Sequence, residues 1–265
     1  PGIELRSMFG RAFKDLTPAD IAEIKRVAQG EGWKIFGCSS PVFKCEIDDA
    51  AAVRAHVEEF KRSLNVAHEL GSNLVRVFTF LRRSSQENSA LLPRVAAHLE
   101  ELQKVAAGSK VRIGIENEHS CIVATGGEAA AICALLPDPQ FGIVWDPCNV
   151  LYVPGSETNV VAPFPSFANR VAHIHIKDAV RITPKPGGLL GFAAPVGLGD
   201  VGWRSHLATI EQSGYAGMFS LETHWRVIQI AEADLHLPAG YGFSRGGEEA
   251  SRTCFHNLRE LLPTT

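Results

Sequence analysis

The sequence predicts a parallel (β/α) barrel, and three observations support this fold class. Short β-like runs alternate with longer amphipathic runs along the chain, which is the pattern of consecutive β-α-β units and a parallel sheet. The 265 residues suit one barrel domain, because a barrel of this type needs about 250 residues. Four consecutive strand candidates end in an acidic residue or a histidine, as expected where strand ends converge on one mouth. We therefore expect a single domain over residues 1–265.

Seven segments are strand candidates because they are short, apolar and rich in β-branched residues. They lie at Ile3–Arg6, Trp33–Cys38, Asn73–Phe80, Val111–Glu118, Phe141–Asp146, Val171–Lys177 and Met218–Thr223. A closed barrel has eight strands, so we expect that the first β/α unit is missing from this chain. The strands at Ile3 and Met218 would then face each other across a gap, and a partner chain, a second copy or another protein, would cover it. A doubly wound open sheet has the same alternation, and the site residues decide between the two folds.

Helices are predicted between the strands from apolar residues three or four positions apart. Thr17 followed by Pro18 is a typical helix start, with threonine as the cap and proline in the first turn. The periodic apolar positions are Ile21, Ile24 and Val27, then Val53, Val57, Phe60, Leu64 and Ala67, then Leu92, Val95, Leu99 and Leu102. The Gly- and Pro-rich segment Thr183–Gly202 is a predicted loop at the barrel mouth. It is either a lid or binding loop, or an ordinary surface excursion.

Composition excludes several classes of partner. The net charge is −3, whereas nucleic-acid-binding surfaces are usually basic. We find no run of 18 apolar residues that would predict a membrane span and no signal-peptide pattern at the start of the sequence. Six cysteines are scattered without a Cys-x-x-Cys motif. We therefore expect a reduced, cytoplasmic protein that binds neither nucleic acid nor membrane.

Four strand candidates end in potential metal ligands: Glu116, Asp146, His175 and Glu222. Each has an ordinary alternative, since Asp146 precedes a proline and suits a turn, His175 suits a buried core position, and the glutamates suit salt bridges. The presence of all four residues at the carboxyl ends of consecutive strands favours a shared site at the barrel mouth. Three carboxylates and one imidazole suit one divalent ion, for which we expect Mn²⁺, with Mg²⁺ or Co²⁺ as alternatives. Zinc is less favoured because the set contains no thiolate.

The fragments IENE, WDPCN, HIHIKDA, GLGDVGW and SLETH, preceded by GIELR and SPVFKC, carry a family resemblance. In this order and spacing they resemble the xylose isomerase-like TIM barrel superfamily, and within it the sugar phosphate isomerase/epimerase family. The resemblance covers Ile3 to about Leu262. It implies that Glu116, Asp146, His175 and Glu222 bind the metal and that the two glutamates also move protons. The family has one more strand before GIELR, and its ketose epimerases have a histidine where this chain has Asn149.

The resemblance implies proton transfer next to a metal-bound carbonyl of a sugar or related polyol. Glu116 or Glu222 removes the proton, an enediolate forms, and the other glutamate returns a proton, giving isomerisation or epimerisation. A lyase or dehydratase that expels a β-leaving group from the same enolate is the nearest alternative. Two further alternatives are a DNA-repair endonuclease, which carries three zinc ions in this superfamily, and a sugar-binding subunit that has lost catalysis.

Other charged and polar residues on these strands are candidates for supporting roles. Lys177 shares a face with His175 and would stabilise an enolate or form a rim salt bridge, and Arg76 would contact substrate or pair with an acid inside the barrel. Trp145 and Trp203 would line the pocket or belong to the core. The candidate substrate-binding residues are Glu4, Arg6, Arg76, Asn149 and Lys177. The candidate residues behind the ligands are Glu118, His173, Asp178 and His224.

Overall fold

The structure is a computed structural model and describes residues 1–83, 88–182, 190–228 and 245–262. Its strands are β1 (Gly2–Leu5), β2 (Ser7–Met8), β3 (Arg11–Ala12), β4 (Lys34–Ser39), β5 (Leu74–Val77), β6 (Arg112–Glu116), β7 (Phe141–Trp145), β8 (Val171–Ile176), β9 (Asp178–Arg181), β10 (Gly191–Ala194) and β11 (Phe219–Leu221). Its α-helices are α1 (Pro18–Gly30), α2 (Ala50–Leu70), α3 (Asn88–Val105), α4 (Gly126–Leu135), α5 (Pro147–Leu151), α6 (Trp203–Gln212) and α7 (Gly247–Leu261).

The central sheet is a nearly closed parallel barrel of seven strands in the order β1-β4-β5-β6-β7-β8-β11. All six pairings are parallel, and the seven strands are those that the sequence predicts. Within the described residues, β1 and β11 are the two edges of this sheet. The prediction of a barrel one strand short of eight therefore agrees with the described part of the chain, and the open-sheet alternative is wrong.

Helix starts follow from local side-chain capping. The Thr17 side chain accepts a hydrogen bond from the Asp20 amide, and Asp20 accepts one from the Thr17 amide in return. Thr125 and Glu128 form the same reciprocal box at the start of α4. Such a box satisfies two amides that would otherwise lack partners in the first turn. The predicted start of α1 at Thr17-Pro18 is confirmed.

Two antiparallel hairpins were not predicted from the sequence. β2 pairs with β3, and β9 pairs with β10. The predicted loop Thr183–Gly202 therefore contains the strand β10, whereas residues 183–189 lie outside the described part of the chain. Partner strands stabilise these short segments, so their own composition gives little signal.

The hydrophobic core fills the barrel and the layer between the sheet and the helices. Trp145 and Trp203 are fully buried, so both belong to the core and neither lines the pocket. The indole of Trp203 donates to the carbonyl oxygen of Lys177 at 2.9 Å, which fixes the strand end that carries the lysine. None of the described helices is long and apolar enough to cross a membrane.

Candidate metal centre and active site

The four predicted ligands come together at the carboxyl end of the barrel. Glu116 ends β6, Asp146 follows β7, His175 lies on β8 and Glu222 follows β11. One ligand atom from each lies within 4.8 Å of the others. Because parallel strands end at the same side of a barrel, residues up to 106 positions apart in the chain meet here.

His175 is at the centre of the cluster. Its Nδ1 atom lies 3.4 Å from Glu222 Oε2, 3.5 Å from Glu116 Oε1 and 3.8 Å from Asp146 Oδ2. Both the histidine and Glu116 are buried, and Asp146 is completely inaccessible. Glu222 retains 30% of its side-chain exposure and therefore forms the solvent side of the cluster.

Two cations pair with these carboxylates. Arg76 Nε lies 3.0 Å from Glu116 Oε2, and Lys177 Nζ lies 2.7 Å from Asp146 Oδ2 and 3.4 Å from Glu222 Oε2. The prediction that Arg76 pairs with an acid inside the barrel is confirmed. Such pairing offsets part of the cost of burying the carboxylates.

The pKa values within the cluster follow burial and charge. Burial raises the pKa of Asp146 to about 6, although Lys177 opposes the change. Burial also acts to raise the pKa of Glu116 and Glu222, but neighbouring cations prevail and lower both. Burial acts to lower the pKa of His175, yet the surrounding carboxylates hold it well above its usual value. Because a metal ligand must be deprotonated, an ion would displace the proton on Nδ1.

The residues present fit a divalent ion. His175 Nδ1 is buried without a hydrogen-bond partner among the described residues, and the short approach of Asp146 Oδ2 to Lys177 lacks hydrogen-bond geometry. Buried polar atoms normally have partners, so the unpartnered Nδ1 atom of His175, which lies 3.4–3.8 Å from three carboxylates, favours an ion there. Neighbouring ligands about 2.1 Å from one ion are about 3.0 Å apart, so the three separations of His175 Nδ1 from the carboxylates, at 3.4–3.8 Å, would need to contract by less than about 1 Å. Three carboxylates and one imidazole suit ions such as Mn²⁺ or Mg²⁺.

A cavity of about 510 Å³ adjoins the cluster and is lined by Glu116 and Glu222. It is also lined by several of the other predicted site residues, namely Arg6, Arg76, Glu118, Asn149, Lys177 and His224. The rim also contains residues that were not predicted, including Lys44, Phe78, His119 and Tyr152. The cavity therefore combines potential ligands at its base with polar and aromatic groups that could orient a small polar molecule.

Two predicted residues near the site serve mainly to shape the protein around it. Glu118 accepts from the amide and hydroxyl of Ser120 and pairs with Lys44 at 3.3 Å, so it orders the rim. Asp178 accepts four backbone hydrogen bonds, from residues 179, 197, 199 and 201. It therefore holds the turn after β10 and does not orient Lys177 through a direct contact.

Asn149 and its neighbour Asn117 connect two of the ligand-bearing strands. The Asn117 side chain donates to the Asp146 carbonyl and accepts from the Asp146 amide, both at 2.8 Å. Asn149 donates to the Asn117 carbonyl at 2.8 Å and to Glu116 Oε1 at 3.3 Å. Asn117 was missed by sequence reasoning, although its position directly after Glu116 at a strand end was a usable signal.

Glu4 and His173 lie behind the cluster. The Glu4 carboxylate is 3.0 Å from His175 Nε2 and 3.3 Å from His173 Nε2, and it accepts a hydrogen bond from Ser220 at 2.6 Å. Burial acts to raise the pKa of Glu4, but the two histidines lower it well below its usual value. The substrate contact predicted for Glu4 stays a prediction, since the carboxylate is engaged here by protein groups.

The fold and the cluster define a (β/α)-barrel protein with a polar site at the carboxyl ends of its strands. The chain belongs to the xylose isomerase-like TIM barrel family, whose sequence model matches residues 1–246. The family resemblance predicted from the sequence is confirmed. Among curated proteins, no sequence matches this chain significantly.

Three solved structures share this fold over most of their length. A xylose isomerase-like TIM barrel protein from Mycobacterium smegmatis, in complex with magnesium, is 17% identical, with a TM-score of 0.65 over 92% of this chain and 81% of that chain. The IolI protein with a bound zinc atom is 18% identical, with a TM-score of 0.70 over 94% and 82%. The apo form of 3-keto-D-glucoside 4-epimerase from E. coli is 15% identical, with a TM-score of 0.66 over 91% and 85%. At these identities the likeness is one of fold.

Proposed function

We propose that this protein is a metal-dependent isomerase or epimerase of a sugar or keto-polyol. The observation that carries the proposal is that one ligand atom from each of Glu116, Asp146, His175 and Glu222 lies within 4.8 Å of the others, and that both glutamates line an open cavity. The neighbouring fold of a 3-keto-D-glucoside 4-epimerase favours a sugar as the substrate. The chain's own residues would bind the ion, transfer the proton and stabilise the negative charge that develops on the substrate.

The four residues would hold one divalent ion, with Mn²⁺ expected and Mg²⁺ or Co²⁺ as alternatives. Oxygen-rich ligand sets favour these ions, and one structural neighbour contains magnesium whereas another contains zinc. When bound, the ion would supply polarisation of the substrate carbonyl and of an adjacent hydroxyl oxygen, which makes the hydrogen on the hydroxyl-bearing carbon next to the carbonyl more acidic.

Glu116 and Glu222 are the proposed proton-transfer pair. Both line the cavity, and they reach it from different strands, β6 and β11. Neighbouring cations lower the pKa of each, so both are carboxylates at neutral pH and either can accept a proton. One removes the proton from the carbon next to the carbonyl. The other, after taking up a proton from solvent, returns one to the same or the neighbouring carbon, and the first then releases its proton to solvent.

Lys177 and Arg76 stabilise the charge that develops when the proton leaves. Lys177 lines the cavity and lies between Asp146 and Glu222, while Arg76 pairs with Glu116. Their two positive charges add to those of a divalent ion at the base of the cavity. Cations held in place where negative charge develops favour an enediolate over its neutral precursor.

Solvent deuterium uptake tests this proposal. Metal-loaded protein is incubated in deuterated water with a panel of ketohexoses and a 3-keto-D-glucoside, and the carbon next to the carbonyl is examined by NMR. We expect deuterium at that carbon in product or recovered substrate. Glu116→Gln and Glu222→Gln should each reduce the exchange by roughly 10²–10⁴-fold, since a positioned acid or base contributes about that much. Metal content is measured for every variant, because these residues are also proposed ligands.

Glu58→Gln is the matched control, since Glu58 is exposed on α2 and pairs only with Lys61 among the described residues. It should exchange deuterium like the wild type. A product with a shifted carbonyl or a new stereocentre identifies an isomerase or epimerase, and a released group with a new double bond identifies the lyase alternative. Full turnover after exhaustive chelation would contradict metal dependence, and turnover without any label after long incubation would contradict proton abstraction.

A further inference from the structure

Glu4 contacts His175 on the side of the ring that faces away from the other three carboxylates. His175 Nε2 lies 3.0 Å from Glu4 Oε2 and 3.2 Å from Oε1. An ionised carboxylate only accepts hydrogen bonds, so Nε2 must be the donor. The other ring nitrogen, Nδ1, then faces Glu116, Asp146 and Glu222 at 3.4–3.8 Å. The direction of the ring is therefore set by Glu4.

The Glu4 carboxylate is itself held by groups on two other strands. Ser39 on β4 donates to Oε1, and Ser220 on β11 donates to Oε2 at 2.6 Å. The Ser220 hydroxyl in turn lies 2.8 Å from His173 Nε2, which is able to donate to it. The Glu4 side chain is only 9% exposed. With donors at both oxygens, the carboxylate has little freedom to turn away from His175.

We propose that Glu4 is a positioning residue that keeps His175 protonated at Nε2 and presents Nδ1 to the metal. The inference rests on the proposed function, because a divalent ion is what requires Nδ1 as a ligand. A carboxylate behind a metal-binding histidine fixes the tautomer and makes the ring a better ligand. Glu4, His173 and His175 also form a group that would suit a second ion. However, the hydrogen bonds of Glu4 are already complete with the donors present, which favours orientation over metal binding.

A measurement on the wild-type protein tests the ring orientation without any variant. The protein is labelled with ¹⁵N-histidine and loaded with Zn²⁺, and spectra that correlate ring protons with ring nitrogens are recorded. His175→Gln assigns the signals. We expect a protonated Nε2 with a slowly exchanging hydrogen and a metal-bound Nδ1. A metal-bound Nε2 with the proton on Nδ1 would overturn the proposal.

A second measurement compares Glu4→Gln with Ser220→Ala. The glutamine keeps the shape of the side chain but removes its charge, whereas Ser220→Ala removes one donor to Glu4 and leaves the Glu4 charge and its contact with His175 in place. Free Mn²⁺ is titrated by electron paramagnetic resonance, and thermal unfolding of the apo proteins is measured in parallel. We expect Glu4→Gln to weaken Mn²⁺ binding by about 10–100-fold and Ser220→Ala to change it less than about 3-fold, even if both lower the unfolding temperature equally.

Equal loss of Mn²⁺ affinity in the two variants would mean that Glu4 acts only through the fold, and unchanged affinity in Glu4→Gln would also overturn the proposal. Two Mn²⁺ per wild-type chain, with one lost in Glu4→Gln, would make Glu4 a ligand of a second ion instead. A wild-type protein that binds no divalent ion would overturn the proposed function as well. That outcome can be told apart from failure of the Glu4 proposal alone, because the wild-type protein then fails to bind an ion before any substitution is made.

Discussion

At the scale of single residues, His206 on α6 shows how burial alone sets a protonation state. Trp145 Nε1 donates to His206 Nε2 at 2.9 Å, so Nε2 must be unprotonated and the ring neutral. The ring is completely inaccessible, and burial lowers its pKa to about 3. Its Nδ1 atom has no hydrogen-bond partner among the described residues. A second proton on this ring would therefore break the contact with Trp145 and bury an unpaired charge.

His206 should make stability depend on pH. The pKa in the folded protein is about 3, whereas an unfolded histidine titrates near 6.5, so the unfolded state binds more protons below pH 6.5. Stability is thus unaffected above pH 6.5 and falls as the pH drops towards 3, by up to about 1.4 kcal/mol per pH unit. Urea unfolding at pH 7.5 and 5 should show a loss of roughly 2 kcal/mol from this group.

His206→Gln is the matched variant for this prediction. The glutamine carbonyl accepts from Trp145 Nε1 and does not titrate. The difference in unfolding free energy between wild type and variant should therefore change by roughly 2 kcal/mol between pH 7.5 and pH 5. The same difference at both pH values would contradict the assignment of the neutral, buried ring.

The sequence predicted the four proposed ligands because each ends a strand, and the ends of parallel strands converge whatever the helices between them contain. It did not predict the pairing of Glu4 with His175. That contact depends on how closely β1 and β11, the first and last strands of the sheet, approach each other, which no local pattern encodes. Lys44 and His119 were missed for a related reason, since they lie on loops whose paths are set by tertiary contacts.

At the scale of elements, the turn between β10 and α6 is organised around the Asp178 carboxylate. The amides of Gly197 and Gly199 donate to Oδ2, and those of Ala179 and Val201 donate to Oδ1, at 2.9–3.2 Å. Gly197 has a φ of +85°, which favours glycine. The GLGDVGW motif is therefore a turn that wraps one buried carboxylate, and it delivers Trp203 to its contact with the Lys177 carbonyl.

Gly199→Ala should disrupt this turn. A Cβ atom at position 199 would overlap the Asp178 carboxylate and lie 2.6 Å from the carbonyl oxygen of Ala179. We expect a loss of about 1–3 kcal/mol of unfolding free energy, as for other over-packed buried sites. Urea unfolding of the wild type and the variant at neutral pH measures this loss of unfolding free energy.

Gly127→Ala is the control for this substitution. Gly127 lies in the first turn of α4, and an added Cβ there meets nothing within 4 Å. It should be neutral or stabilising by up to about 1 kcal/mol, because alanine favours a helix. If Gly199→Ala were as stable as Gly127→Ala, the close packing of the turn against Asp178 would be wrong.

The strands and the hairpins differed in how well they could be predicted. Apolar runs predicted all seven strands of the barrel. Most of the observed strands end one or two residues before the predicted end, close to the residues of the site. The β9–β10 hairpin could not be predicted, because the segment Gly191–Ala194 is a strand only through its pairing with Asp178–Arg181. The spacing of apolar residues and the β-propensity of a segment indicate how that segment is buried. They carry no information about which other strand it pairs with.

At the scale of the whole molecule, the barrel has a seam between β1 and β11. Each of these strands pairs on one side only within the described sheet, and a cavity of about 610 Å³ lies between them. The hydrogen bond from Ser220 on β11 to Glu4 on β1, at 2.6 Å, spans the seam. Met218 and Phe219 are 41% and 38% exposed beside it. Side-chain contacts therefore connect β1 and β11, whereas backbone hydrogen bonds connect the other neighbouring strands of the barrel.

The seam should be the least protected part of the sheet in hydrogen exchange. Amides of β1 and β11 are expected to exchange faster than those of β6 and β7, because edge strands open without breaking pairs on both sides. Ser220→Ala should increase exchange in both edge strands together and leave β6 unchanged, since it removes a contact between them. Mass spectrometry of peptides covering these strands, with and without Mn²⁺, measures the exchange rates.

If both edge strands were as protected as β6, and light scattering gave twice the chain mass, a second copy would be covering the seam, as the sequence led us to expect of a partner chain. Slow exchange at the edges of a monomer would instead contradict the open seam.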